Sequence, residues 1–163
     1  RKVHPDKVPE QVEADAELKR KLVKSEVWKS TYQLKPGSTT TPNALLVDYM
    51  NIDAVKEQDY LRLEHEVWQP VHQHRLDNGH IKNWTLYSLE FPDESTYPYS
   101  HATATVFEDW SQIKDSWPED AFATVHDDGK EAALTKLTYE TRDLVSSEIW
   151  VLLDSVTASE VDR

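Results

Sequence analysis

Apolar and polar positions alternate with the period of a strand in several stretches of the chain, and between them they recur at the spacing of a helix. ALLVDYMNI, residues 44–52, predicts a strand. Residues 53–78 carry a helical repeat, with Asp53 as the expected N-cap and Gly79 placed to end it. KNWTLYSLEF, residues 82–91, predicts a second strand and residues 92–97 a turn. YSHATATVF, residues 99–107, predicts a third strand. A short helix is expected over residues 109–117, a turn from Pro118, and a helix over residues 130–143 after Gly129. SSEIWVLLDSV, residues 146–156, predicts the last strand. Upstream, a helix is expected over residues 10–22 and a strand over residues 25–34, closed by Pro36-Gly37 and a polar loop over residues 38–43.

From residue 44 the order is β-α-β-β-α-β. That order predicts an α+β, ferredoxin-like domain: one antiparallel sheet with right-handed crossovers over one face. Residues 1–43 form an N-terminal extension with a helix and strand, residues 44–156 the core, and residues 157–163 a tail of one single domain. A sheet with one wet face would alternate apolar with charged residues. Here neither of the two sets that follow contains a charged residue. Leu46, Met50, Trp84, Leu86, Ala102, Ala104, Val106, Ile149, Val151 and Leu153 form an apolar set, expected to face the helices. Val47, Tyr49, Asn83, Thr85, Tyr87, His101, Thr103, Thr105 and Trp150 form a semipolar set, expected on the other face. LVKSEVW, residues 22–28, and LVSSEIW, residues 144–150, agree at five of seven positions. Chance explains such a short match as well as equivalent roles do, the latter as neighbouring strands.

The long helix contains the densest chemistry in the chain, EHEVWQPVHQHR over residues 64–75. At about 100° per residue, Arg62, Glu66, Gln69, Gln73 and Asp77 gather on a wet side. Tyr60, Leu63, Val67 and Val71 gather opposite, and Leu61 and Trp68 extend that buried arc. Glu64 and Arg75 project within the arc, and His65 and His72 lie at its edge. A carboxylate in an apolar arc is costly unless paired, and such groups carry shifted pKa values. Pro70 has no amide hydrogen and crowds the carbonyl of Glu66, so a kink or restart is expected there.

Two readings of this stripe follow. In one, Glu64, Trp68 and His72 line a ligand pocket against the sheet, with His72 as a general base and Arg75 holding an anionic or carbonyl-bearing ligand. In the other, Glu64 pairs with an arginine or lysine and the histidines hydrogen-bond at the helix edge. A direct Glu64–Arg75 pair does not fit one straight helix, where eleven residues span about 16 Å. No metal site is expected, because His65 and His72 are two turns apart and no HExxH motif occurs. No attachment motif for haem occurs either, and no cofactor is expected.

Composition narrows the partners. Eighteen basic and thirty acidic residues give a net charge of −12, which repels phosphate backbones and anionic bilayers, so neither nucleic acid nor a membrane is an expected partner. No apolar run is long enough to span a bilayer, and the chain reads as soluble. The absence of cysteine excludes disulfides, thiolate metal sites and cysteine nucleophiles. Three glycines leave no phosphate-cradling loop. Arg at position 1 fits a removed leader, and so a periplasmic or secreted protein, as well as a trimmed chain.

The element order, together with Tyr49 on its strand, Trp68-Gln-Pro70-Val-His72-Gln on the helix, and then Gly79 and Trp84, resembles the dimeric α/β-barrel superfamily, in particular a group of uncharacterised bacterial members. The resemblance spans residues 44–156. It implies a homodimer through the sheet face; the small-molecule pocket expected from the helix pattern would take Glu64, Trp68, His72 and Arg75 with Trp84, Tyr49, Tyr87 and His101 from the sheet. Trp84 suits that pocket better than Tyr87 and His101, which fall on the other parity of the sheet. It leaves three functions open: ligand binding without chemistry, a cofactor-independent oxygenase or isomerase on an aromatic or polyketide-like substrate, and a purely structural protein.

Overall fold

The computed structural model describes residues 23–35, 43–92, 97–126 and 129–154. The expected helix over residues 10–22, most of the loop over residues 38–43 and the tail lie outside that set. The fold is α+β. Strands β1 (Val27–Gln33), β2 (Ala44–Asn51), β3 (Asn83–Phe91), β4 (His101–Phe107) and β5 (Asp143–Val151) form one sheet in the order β1-β3-β4-β2-β5. Every neighbouring pair is antiparallel. Between β2 and β3 run α1 (Glu57–Leu63), a π-helical turn (Glu64–Trp68) and α2 (Gln69–Asp77). Between β4 and β5 run a 3-10 turn (Ser111–Asp115), α3 (Ala121–Val125) and α4 (Glu131–Thr141). The first helical crossover packs on the second, α1 against α4 and α2 against α3.

The ends of the long helix differ in how well sequence signals them. Gly79 takes φ +77°, and the amides of Gly79 and His80 return to the carbonyls of Leu76 and Arg75. That is a Schellman end, where a residue without Cβ is favoured. Asp53 does not cap the helix as expected. Its carboxylate accepts the Val55 amide and its carbonyl accepts the Lys56 amide, so it closes a turn before α1 begins. Pro118 opens the expected turn, closed by the Ala121 amide donating to the Pro118 carbonyl, and an unexpected helix follows it: α3 buries Ala121 and Phe122 against Leu63, Val67 and Val71. β5 starts at Asp143, three residues before the expected strand, and ends at Val151.

The core lies between the sheet and the helices. Met50, Trp84, Leu86 and Phe107 meet Tyr60, Leu76 and Ile81 there. The expected parity holds for β2, β3 and β5 but is inverted in β4. Val47 pairs with Ala104 and Tyr49 with Ala102, so the alanines share the far face with Val47 and Tyr49. His101, Thr103 and Thr105 therefore turn toward the helices. The two echoing segments are not neighbours: they supply β1 and β5, at opposite edges of the sheet. They are nonetheless alike. The Trp28 indole N–H donates to Glu26 at 3.2 Å, and that of Trp150 donates to Glu148 at 2.8 Å.

Candidate functional site

The π-helical turn decides what the long helix presents to the sheet. The Gln69 amide bonds to the Glu64 carbonyl five residues back. One extra residue in a turn sets every later side chain back by about 100°. Pro70 follows in the first turn of α2, where its missing amide hydrogen does no harm. The expected restart at Pro70 thus takes the form of a π turn. In a continuous α-helix His72 would sit at the edge of the buried arc and Leu76 beyond it. Both are buried.

A cavity of about 370 Å³ lies between this helix and the sheet. Glu64, Trp68, His72 and Arg75 line it from the helix, and Leu46, Asp48, Trp84, Thr103 and Thr105 from the sheet. Ser116, Trp117 and Arg142 complete its lining. The imidazole of His72 stacks on Trp84, with ring centres 4.7 Å apart and planes 20° off parallel. Arg75 lies over Trp117 at 4.2 Å and donates through Nε to the Ser116 carbonyl at 2.7 Å. Trp68 donates its indole N–H to Thr138 Oγ1 at 2.8 Å. Three tryptophans thus wall a space whose ends are charged.

Glu64 is only 2 % exposed. Burial raises its carboxyl pKa, the Arg142 guanidinium at 3.4 Å offsets part of that rise, and the outcome is about 7. It exchanges a proton near neutrality. Arg142 is the partner that a buried Glu64 requires, not Arg75. Its Nη1 also lies against Met50 Sδ, and its buried Nε has no hydrogen-bond partner among the described residues.

For His72, expected as a general base, the neighbouring arginine fixes the tautomer. Arg75 Nη1, which only donates, lies 2.7 Å from His72 Nδ1. Nδ1 must therefore accept, and the proton sits on Nε2. Burial first, then the charges of Arg75 and Arg142, push the imidazolium pKa well below its usual value. His72 is a neutral ring that offers an Nε2 proton. Arg75 is lowered by burial to about 10 and stays cationic at neutral pH.

The other expected residues fall elsewhere. Tyr49 and Tyr87 line a separate groove of about 450 Å³ on the far face of the sheet. His101 is on the helix side but outside the cavity, edge-on to Tyr60 at 5.3 Å with Nδ1 on Ser100 Oγ. Its Nε2 lies 3.6 Å from Glu57, and burial lowers its pKa to about 4. His65 is exposed, stacked on Tyr32 and bonded to Gln69.

The chain matches no protein-family model and no curated relative. Its chemistry has to be read from its own residues. Among the described residues no three His, Asp or Glu side chains converge as a metal-binding group. Among them too, no helix is long and apolar enough to cross a membrane. Trp117 and Arg142 are the functional candidates that sequence reasoning missed. Nothing local marks them, although a buried Glu64 demands a cation from somewhere.

Proposed function

We propose that the protein binds a small planar molecule bearing an acid or carbonyl group in the cavity between the long helix and the sheet. The guanidiniums of Arg142 and Arg75, both in the lining of one cavity, carry this reading. Arg75 supplies a second cation, Trp68, Trp84 and Trp117 supply flat apolar walls, and protonated Glu64 leaves the cavity net positive below about pH 7. Salicylate is the first probe. Titration followed by tryptophan fluorescence should show saturable quenching, weakened at least tenfold by Arg142→Met. Quenching that is equal in the variant, or absent from the wild type, overturns the reading.

A second reading makes the same cavity a cofactor-independent oxygenase or isomerase site for an aromatic or polyketide-like substrate. The raised Glu64 pKa favours it, since a carboxylate poised near neutrality is an efficient base. Glu64 then takes the proton, and the neutral Nε2–H of His72 faces the developing oxyanion.

The strand order and the two crossovers fit a ferredoxin-like βαββαβ core with β1 added at its edge, and the proposal includes pairing of two copies through the far face of the sheet, as in a dimeric α/β barrel. Support comes from Trp150, which lies on that face of β5 and is 55 % exposed, with Leu152 of the same parity just beyond the strand at 40 %. Light scattering should give twice the chain mass for the wild type and the monomer mass for Trp150→Glu. A wild-type monomer at high concentration removes the dimer from the proposal.

A further inference from the structure

On the face of the sheet opposite the Glu64 cavity, four aromatic rings surround one carboxylate. Trp28 stacks on Tyr99 with ring centres 5.8 Å apart and meets Tyr49 at 6.0 Å. Tyr49 and Tyr99 are 4.7 Å apart, and Tyr97 stands edge-on to Tyr99 at 5.0 Å. Glu26 accepts hydrogen bonds from the hydroxyls of Tyr97 and Tyr99 and from the Trp28 indole. Burial raises this carboxyl, but those bonds and Lys24 outweigh it and hold the pKa at about 2. Its charge is therefore permanent. Rings presenting their faces beside a fixed anion form the arrangement that recognises organic ammonium ions.

An ammonium is already there. Lys24 Nζ lies 5.4 Å from the centre of the Tyr49 ring and 5.3 Å from that of Tyr99. It reaches the Tyr99 hydroxyl at 2.6 Å and Glu26 at 3.0 Å. Its side chain is about half exposed, so it enters the cage from outside rather than being built into the sheet. The cage opens onto the 450 Å³ groove, whose floor of Val47, Ala102 and Ala104 is apolar and which Trp150 bounds from β5. A cation site continuous with a hydrocarbon trough describes the two ends of one amphipathic molecule.

We propose that Glu26, Trp28, Tyr49 and Tyr99 form a binding site for small alkylammonium compounds, with the protein's own Lys24 as its resting occupant and the hydrocarbon part of the ligand lying in the adjoining groove. The chain's charge of −12 concentrates cations at its surface, which favours such a ligand. Lys24 competes as a tethered ligand at an effective concentration of the order of millimolar. An external amine reaches the cage only by displacing it, so removing Lys24 exposes the site.

The test is calorimetric titration of hexylammonium chloride into the wild type, Lys24→Ala and Lys24→Ala/Glu26→Gln. Hexanol, equal in chain and uncharged, is titrated in parallel. Lys24→Ala should bind hexylammonium at least tenfold more tightly than the wild type. Adding Glu26→Gln should abolish that gain, and hexanol should show no such gain. Lys24→Met, which keeps the apolar stem, serves should Lys24→Ala melt early. A lysine variant that binds no more tightly than the wild type overturns the proposal. So does a gain shared by hexanol, which would mark the groove as apolar only, or one that survives Glu26→Gln. The site stands apart from the Glu64 cavity, and loss of either leaves the other intact. Pairing of two copies through this face would cover the groove, so the titrations are made at concentrations where light scattering gives the monomer mass.

Discussion

Trp84→Ala should lower stability by about 3–5 kcal/mol, the usual cost of deleting a large buried aromatic. Trp84 is 1 % exposed, sits near the start of β3 and fills the space between sheet and helix. Its loss also removes the surface on which His72 stacks, so the cost belongs near the top of that range. For a domain of this size the thermal midpoint should fall by roughly 10–15 °C. Trp84→Phe keeps a flat ring under His72 and should cost clearly less. Thermal melts followed by circular dichroism check both. A Trp84→Ala midpoint within two or three degrees of wild type would mean that this contact is not the centre of the core.

Glu64→Gln should change the pH dependence of stability more than its value at low pH. The folded carboxyl titrates at about 7 instead of 4.5. An acid raised on folding contributes stability below its unfolded pKa and loses it as pH climbs through the folded one. The wild type should therefore weaken by about 3 kcal/mol between pH 4.5 and pH 8 from this group. The neutral amide mimics the protonated acid, so the variant should match wild type near pH 5 and exceed it by a comparable amount at pH 8. His101 pulls the other way: its pKa falls to about 4, so its contribution is lost as pH drops from 6.5 toward 4. His72, lowered further by burial and the two arginines, adds to that acid-side loss. Together these groups place the stability maximum between about pH 6.5 and pH 7. Urea midpoints at pH 5, 6.5 and 8 are the measurement. Parallel wild-type and variant profiles would show that Glu64 ionises like an exposed carboxylate.

The sequence made the strands and the buried face of the long helix readable, because both are short-range periodicities. It also exposed Glu64 as a misfit, since a carboxylate among Tyr60, Leu63 and Val67 violates the pattern around it. Reading failed where long-range partners decide. In β4, Ala102, Ala104 and Val106 look like core and His101, Thr103 and Thr105 do not, yet the threonines face the helices. When neither face of a sheet is charged, hydrophobicity no longer labels the faces, and register with the neighbouring strand does. Arg142 is 78 positions from Glu64, beyond the reach of any spacing rule. The protonation of His72 depends on Arg75 lying against one particular ring nitrogen, and only coordinates reveal that.

The π-helical turn has a consequence for inheritance. A helix that carries one residue beyond its α-repeat holds a spare, and losing any one codon between Glu64 and Trp68 would let the turn close to ordinary geometry. The strands, the Schellman end at Gly79 and most of the core would survive the deletion. The deletion removes the very residue that sets the later ones back, so His72 and Leu76 would keep their buried positions and the cavity its histidine wall. A single in-frame deletion at this point is therefore a length change that two lineages can differ by while sharing both the fold and the pocket.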